Sequence, residues 1–423
     1  MRKVSVIGLG YVGLPLLAAI TKCGKYEAVG YDLNAEKINL ITSGKCPIDD
    51  STCAQDMMEK PISASTDDTI MTDSDIFIIC VPTPVFDDYT PDYSFVEKSM
   101  ETVAHYMKKD AIVVLESTVN PGTCEEICLP ILEKVSGLKV GDFTLSHCPE
   151  RINPGDPKWN VRNINRNIGS LPVAKVGEIA DFYRSFIDAT IKEVSCLKVA
   201  EATKIVENSF RDVNIAFVNE LAQSFDAMGI DLIETLHGAS NKPFGFMAHW
   251  PSRGVGGHCI AVDPYYLIKR AEKSGFNHRF LKAAREVNNS MPHYLVSRLQ
   301  DALNEIELPV KGTKIGLLGL SYKANVADLR ESPCLVIEKL LKAMGADLLV
   351  YDPYFPKLSN TASLDELLEK STAVVIGTMH KEFEKISKVL SRYPNIRAIV
   401  DGMNKINSEV MDKSIVIYRG IGR

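Results

Sequence analysis

The stretch Val4-Ser5-Val6-Ile7-Gly8-Leu9-Gly10-Tyr11-Val12-Gly13 joins a short apolar run to a G-x-G-x-x-G pattern, and helical spacing follows through Thr21. A strand, a glycine turn and a helix in that order have a physical reading. Gly8 permits the tight turn, Gly10 lets a pyrophosphate approach the backbone at the helix N-terminus, and Gly13 allows close helix–sheet packing. The next apolar run, Ala28–Tyr31, ends at Asp32, near the roughly 20-residue offset of a ribose-binding carboxylate. A carboxylate there repels a 2′-phosphate, so the pattern favours NAD over NADP. A glycine-rich turn with no ligand is the plainer alternative.

Working outward, Asp75–Cys80, Ala111–Leu115 and Phe143–His147 read as further buried strands between helical patterns, which indicates a doubly wound parallel sheet. Val81-Pro82-Thr83-Pro84 and Glu116-Ser117-Thr118 follow two of these strands, where ligands gather in such sheets. Thr83 and Thr118 are therefore candidate ligand contacts, although Pro and Thr are also common turn formers. From Leu197 to about Asn304 the alternation stops. Lys198–Met228 reads as one long helix without Gly or Pro, and more helix follows Pro264 through Lys282–Asn289. Near Thr313 the α/β pattern resumes, with strands at Thr313–Leu318, Asp347–Tyr351, Ala373–Gly377 and Ala398–Val400 and a helix at Cys334–Met344. The expected fold class is α/β, with an NAD-binding Rossmann domain at 1–196, a helical central domain at 197–304 and a second Rossmann-like domain at 305–423. The 423 residues accommodate two or three domains of ordinary size.

Composition narrows the partners. The chain is 45% hydrophobic and 24% charged, which excludes wholesale disorder. A net charge of −6 without a long basic block gives no support to a nucleic-acid or membrane-surface partner. No apolar run reaches 18 residues, and the glycines at 8, 10 and 13 break the one N-terminal run that superficially resembles a signal peptide. The ten cysteines show no CxxC and no zinc-type spacing, so no metal site is expected and a reducing, cytoplasmic setting with mostly buried thiols is.

One cysteine differs. Gly254-Val255-Gly256-Gly257-His258-Cys259 sets it behind three glycines, which allow close ligand approach and amides for an anion nest or oxyanion hole. A helix start near Asp263-Pro264 would lower a nearby thiol pKa. An incidental cysteine in a flexible loop is the alternative. Lys204, Asn208 and Arg211 share a face of the long helix among apolar neighbours, which marks either a polar site or an ordinary charged stripe. His147 and His258 are conceivable bases for a Cys–His pair, but His258 adjoins Cys259 in sequence and points elsewhere, and an isolated His is more often structural.

With these residues in view, the chain resembles the UDP-glucose/GDP-mannose dehydrogenase family over essentially its full length. The matching motifs, in order, are GLGYVGLP, VPTP, EST, HCPERINPG, KIVENSFRDVNIAFVNE, GVGGHCIAVDPYYL and GLSYKANVADLRESP. The resemblance implies NAD-dependent, four-electron oxidation of a nucleotide sugar at carbon six for surface polysaccharide synthesis. It also implies a homodimer formed through the long central helix and a C-terminal domain that binds the nucleotide diphosphate. By the same resemblance Cys259 is the nucleophile, Lys204 and Asn208 stabilise an oxyanion with Lys204 a candidate proton donor or acceptor, Asp263 sets the thiol environment or assists as base, and Thr118 and Glu150 position water. Tyr11, Val12, Asp32, Lys37, Thr83, Thr118 and Arg330 match cofactor contacts. Arg151, Ile152, Lys204, Asn208, Arg211, Gly256 and Lys323 match substrate contacts. A thiol suits this chemistry because an aldehyde has no hydride to release until a nucleophile adds to it.

Two positions depart from the UDP-glucose branch. Pro154 stands where that branch carries a second glutamate, and Val262 where it carries a lysine. The sequence variants look like the branch that acts on UDP-N-acetylhexosamines, and Lys242-Pro243-Phe244-Gly245-Phe246 resembles a segment of UDP-N-acetylglucosamine dehydrogenases. UDP-N-acetylglucosamine is thus expected ahead of its manno and galacto epimers and of UDP-glucose. A two-electron hydroxyacid or glycerol-phosphate dehydrogenase needs neither the glycine-loop cysteine nor a third domain. A catalytically silent NAD or nucleotide-sugar sensor would have no use for the intact set of reactive residues.

Overall fold

Strands with every side chain buried form the centre of both α/β regions, as expected where helices cover both faces of a parallel sheet. The computed structural model describes residues 1–152, 158–406 and 416–423. Pro154 lies outside the described residues. Two compact units partition the chain: Met1–Glu207 with Tyr265–Gly275, and Asn208–Pro264 with Phe276–Arg423.

The first unit holds an eight-stranded sheet: β1 (Lys3–Ile7), β2 (Glu27–Tyr31), β3 (Ser63–Ser65), β4 (Ile76–Ile79), β5 (Ile112–Leu115), β6 (Thr144–His147), β7 (Arg166–Leu171) and β8 (Ile191–Glu193). Their order is β3-β2-β1-β4-β5-β6-β7-β8. β1 pairs in parallel with β2 and β4, Val4 lying opposite Ala28 and Ile76. The apolar runs IFII of β4 and IVVL of β5 are buried throughout. The parallel pattern breaks once, at β7, which runs antiparallel to β6 with Ser146 opposite Ser170.

The second unit holds a five-stranded, all-parallel sheet: β9 (Lys314–Leu318), β10 (Asp347–Tyr351), β11 (Ala373–Ile376), β12 (Ala398–Asp401) and β13 (Ile417–Gly420), in the order β10-β9-β11-β12-β13. Its core joins Val218, Leu232, Leu295 and Leu299 from helices to Ile315, Val375 and Val400 from strands. Four helices of at least eight residues occupy the expected helical middle: Leu197–Met228, Leu232–Ala239, Asp263–Lys273 and Arg279–Glu305.

β7 also carries a fully buried charge. Arg166 is 1% exposed, and its Nη1 donates to Glu116 Oε2 at 2.7 Å. Tyr183 donates its hydroxyl to Glu116 Oε1 at 2.5 Å, and its ring lies 5.5 Å from the guanidinium. Glu116, at the carboxyl end of β5, is therefore a structural anchor. Removing one partner of such a pair strands the other charge without solvent. Arg166→Leu is expected to lower the free energy of unfolding by about 3–5 kcal/mol, read as an earlier urea midpoint, while Arg166→Leu with Glu116→Leu recovers most of the loss. An unchanged midpoint in the single variant would show that the pair carries no such weight.

Candidate active site

In the first unit the glycine turn follows β1. Gly8 has φ +87°, and a Cβ there would sit 2.8 Å from the carbonyl oxygen of Cys80. A Cβ on Gly13 would come 2.0 Å from the carbonyl oxygen of Gly8, so only glycine lets the helix Gly13–Cys23 start this close to the strand. Gly10 differs, since a Cβ there would meet nothing within 4 Å. Its backbone face is open, and no side chain caps the helix that follows. This bare face at a helix N-terminus suits a pyrophosphate.

Asp32 follows β2 as expected. Its Oδ2 accepts the Leu9 N–H at 2.8 Å and the Lys37 ammonium at 2.6 Å, and its Oδ1 accepts the Asn34 N–H at 2.9 Å. Burial raises the carboxyl, but the Lys37 and backbone hydrogen bonds outweigh it and hold the group below the usual aspartate value. Asp32 is thus ionised, and Lys37 is already engaged by it. Tyr11 is exposed and Val12 partly so, both beside the open glycine face in sequence. The residues present fit a dinucleotide.

The strand ends behind this turn are tied together. Ser117 donates its hydroxyl to the Val81 carbonyl at 2.7 Å, and Tyr266 donates to the Thr83 carbonyl at 2.5 Å. Thr83 is buried, and Thr118 keeps part of its surface. Glu201, three residues before Lys204 on the long helix, receives the N–H groups of Gly122 and Cys124 at 2.5 and 2.8 Å. This carboxylate fixes the segment after Thr118 against the helix. The sequence signal was a lone acid within the apolar run around Val199 and Ala200.

Glu150 is a buried acid whose titration is shifted toward neutrality. Burial pushes its carboxyl up to about 7, Glu116 adds to the rise, and Lys204, Arg166 and Arg151 oppose it. Its Oε1 is buried with no hydrogen-bond partner among the described residues. Arg151 donates to the Asn165 carbonyl and pairs with Glu207, and Ile152 beside it is partly buried. His147 is excluded as a base, since burial holds it near 3, its Nε2 has no partner among the described residues, and its Nδ1 lies 3.9 Å from Cys124 Sγ.

In the second unit, Cys259 is exposed and occupies a turn ahead of the helix Asp263–Lys273. Its carbonyl accepts the N–H groups of Val262 at 3.2 Å and Asp263 at 2.8 Å. Asp263 is 2% exposed and Asn208 6%, and Asn208 Nδ2 donates to Asp263 Oδ2 at 2.5 Å. Lys204, one turn earlier on the long helix and within the first unit, is 6% exposed. Arg211 does not share this burial and faces solvent. Burial and the nearby Arg330 charge lower His258 to about 4, so it is a neutral imidazole near pH 7.

The glycines before Cys259 serve a different purpose from the one expected. A Cβ on Gly257 would lie 2.6 Å from the Tyr322 ring, and one on Gly256 would lie 2.7 Å from the Glu331 carbonyl oxygen and 2.8 Å from Tyr322 Cβ. The Gly257 N–H donates to the Arg330 carbonyl at 3.0 Å, so that amide is not free for an oxyanion. The loop needs glycine because another part of its own chain packs on it. Arg330 is exposed and forks onto Asp328 at 2.6–3.1 Å, and Lys323 follows Tyr322 on the same partly exposed segment.

Comparison with known proteins agrees with this geometry. Residues 2–187 match the NAD binding domain of the UDP-glucose/GDP-mannose dehydrogenase family, residues 198–290 its central domain and residues 316–408 its UDP binding domain. A UDP-N-acetyl-D-glucosamine 6-dehydrogenase of Pseudomonas aeruginosa is 40% identical over 359 residues, 83% of each chain. A UDP-N-acetyl-D-mannosamine dehydrogenase of Pyrococcus horikoshii is 34% identical over 429 residues, 100% of this chain and 99% of its own. A solved structure of the Pyrococcus horikoshii UDP-D-ManNAc dehydrogenase matches with a TM-score of 0.92 at 34% identity, covering 100% of this chain and 99% of that one. Among the described residues no helix is long and apolar enough to cross a membrane. The chain belongs to the UDP-glucose/GDP-mannose dehydrogenase family and is a nucleotide-sugar dehydrogenase with that family's NAD-binding and UDP-binding domains.

Proposed function

We propose that the protein oxidises the carbon-six hydroxymethyl group of a UDP-N-acetylhexosamine to a carboxylate, with UDP-N-acetylglucosamine the preferred epimer, as a step toward surface polysaccharide. The observation that carries this reading is the exposed Cys259 in a turn whose closing residue, Asp263, is buried and held by Asn208. An accessible thiol on an immobile polar base is what a covalent second oxidation needs. The working division of the chain is 1–196 for NAD, 197–304 for the helical centre and 305–423 for the UDP moiety.

Bound NAD supplies the two-electron acceptor for each oxidation level. Gly8, Gly10 and Gly13 would hold its pyrophosphate and Asp32 a ribose hydroxyl, with Tyr11, Val12, Lys37, Thr83, Thr118 and Arg330 as further contacts. Once the alcohol is an aldehyde, the Cys259 thiolate adds to carbon six. A C–S bond forms, the carbonyl π pair moves to oxygen, and Lys204 and Asn208 stabilise that oxyanion and its protonation as a thiohemiacetal. After the second oxidation the carbon is a thioester. Water then adds, its proton passes to Glu150 with Thr118 orienting it, the C–S bond breaks, and Cys259 leaves as thiolate. Lys323 and Arg151 suit the diphosphate. Along the long helix Val199, Val206, Phe210 and Phe217 are 42–58% exposed, an apolar stripe that supports a homodimer through this helix.

The substrate reading rests on residues 242–246. Phe244 is 70% exposed with the Lys242 ammonium 4.8 Å from its ring centroid, whereas Phe246 packs on the unit's core. Phe244 is therefore the aromatic available to an acetamido methyl, and exposed Arg211 is available to its oxygen.

Three outcomes follow. Wild type should form two NADH per sugar, and Cys259→Ala should form no acid; full acid production by that variant sinks the covalent step. Thioester hydrolysis should rise with pH through about 7 as Glu150 loses its proton. Glu150→Gln should slow hydrolysis by about 10²–10⁴-fold and remove that limb, and a retained limb in stopped-flow traces would assign the base elsewhere. Steady-state kinetics on the three UDP-N-acetylhexosamine epimers and UDP-glucose should give UDP-N-acetylglucosamine the highest kcat/KM, because UDP-glucose lacks the acetamido group that the Phe244 ring and the Arg211 guanidinium would contact. UDP-glucose as the best substrate would refute the branch assignment, and another epimer the ranking.

A further inference from the structure

The residue just before the glycine loop, Arg253, is 2% exposed, and among the described residues no carboxylate pairs with it. A buried guanidinium without an ion partner is costly unless its hydrogen bonds are well met. Here they are met by groups from four other stretches of the chain, at 321–322, 334, 378 and 403. Nη2 donates to the Tyr322 carbonyl at 2.9 Å, to the Thr378 hydroxyl at 2.8 Å and, longer, to the Ser321 carbonyl at 3.4 Å. Nε donates to Cys334 Sγ at 3.2 Å, and Nη1 reaches Met403 Sδ at 2.6 Å.

The same peptide is held from its other side by a buried acid. Asp352, 0% exposed, accepts the N–H groups of Leu320 at 2.6 Å and Ser321 at 3.0 Å, and lies 3.2 Å from His380 Nε2. The Ser321 residue thus joins a buried carboxylate at its N–H to a buried guanidinium at its carbonyl. The Thr378 hydroxyl also bonds the Ser321 carbonyl. The two buried charges are linked through the N–H and C=O of one residue, and among the described residues they form no direct ion pair.

What this arrangement holds is the loop that carries Cys259. Tyr322, fixed by its carbonyl to Arg253, lays its ring on Gly257 and its Cβ on Gly256. Lys323 follows directly, and the Gly257 N–H bonds Arg330 on the same segment. The start of the cysteine loop is pinned as well, through the Ser252 N–H to Asn219 Oδ1 at 2.9 Å and the Arg253 N–H to the Gly402 carbonyl at 2.9 Å.

We propose that Arg253 is a positioning residue that clamps the Ser321–Tyr322 turn, and through it sets both the Cys259 loop and the Lys323 segment that would meet the UDP diphosphate. This rests on the reading of Cys259 as nucleophile and of this unit as the UDP-binding one. The fork of donors is the essential feature, because one planar group must reach two carbonyls, a hydroxyl and two sulfurs.

The test compares the full-length wild type with Arg253→Met, which keeps volume, and Arg253→Lys, which keeps charge and loses the fork. Three measurements are made on each: UDP affinity by calorimetry, NAD affinity by fluorescence, and the rate of Cys259 alkylation by iodoacetamide, located by mass spectrometry. Arg253→Met is expected to weaken UDP about tenfold or more and to change the alkylation rate at least about threefold, with NAD affinity within about twofold of wild type. Arg253→Lys should fall between the two on the first and third measures. UDP affinity and alkylation rate both unchanged in folded Arg253→Met would overturn the clamp. If Arg253→Met does not fold, Arg253→Lys decides: wild-type values for UDP and alkylation overturn the inference, and intermediate values with normal NAD affinity support it. Failure of wild type itself to bind UDP would count against the functional reading, while the alkylation comparison would still judge the clamp.

Discussion

A carboxylate at the end of the second strand, accepting a backbone N–H of the turn after the first, is the constraint on which both α/β units are built. In the first unit Asp32 takes the Leu9 N–H at 2.8 Å, and the Gly8 N–H bonds the Tyr31 carbonyl at 2.9 Å. In the second, Asp352 takes the Leu320 N–H at 2.6 Å, and the Gly319 N–H bonds the Tyr351 carbonyl at 2.9 Å. The charge–amide bond fixes the turn relative to the sheet before any ligand is considered. What differs is what remains afterwards. Asp32 is partly exposed, and the turn beside it is bare at Gly10, so that turn accepts a ligand. Asp352 is sealed by Ser321 and His380, and its turn is filled by its own chain. One local design thus gives a cofactor cradle in one place and a rigid platform for a loop in the other.

Burial then decides which acids and bases can work near neutrality. Glu116 and Glu150 neighbour the same Arg166, yet only Glu116 is bonded to it. Glu150 keeps an oxygen without a partner among the described residues, and its carboxyl is pushed up to about 7. The two histidines that suggested Cys–His chemistry go the other way, since burial leaves both neutral. Position relative to the Arg166 guanidinium, and not residue type, separates the anchor from the proton acceptor.

The sequence made most of the framework legible because it rests on short-range rules. β10 was readable to the residue from its apolar run, and the long helix to within one residue of its start, since no Gly or Pro interrupts it. β7 was not, because RNIGSL shows no alternation and begins with an arginine that only tertiary pairing with Glu116 makes tolerable inside a sheet. β3 and β8, three residues each and polar, carry no periodic signal. The site divides the same way. Gly8, Gly10, Gly13 and Asp32 lie within one strand–turn–helix–strand unit, so spacing alone exposed them. Glu201, Arg253 and Tyr322 act on partners 68 or more residues away, or 65 in the case of Tyr322 on Gly257, and no local pattern announces that.

The cysteine loop shows why such distant partners matter. A thiol that must meet a substrate carbon has to be accessible, and Cys259 is exposed; but an exposed loop residue ordinarily samples many positions, which costs rate in a step that depends on alignment. The groups around it are the opposite: Asn208, Asp263 and Arg253 are 6%, 2% and 2% exposed. Arg253 fixes the start of the loop, Tyr322 its glycines, and Asp263, held by Asn208, its end. Glycine is required at 256 and 257 because the ring and carbonyl that immobilise the loop leave no room for a Cβ. Flexibility in the residue type is thereby used to let the chain pack closely, and the reactive sulfur stays open to solvent while the backbone that carries it is held by hydrogen bonds and close packing.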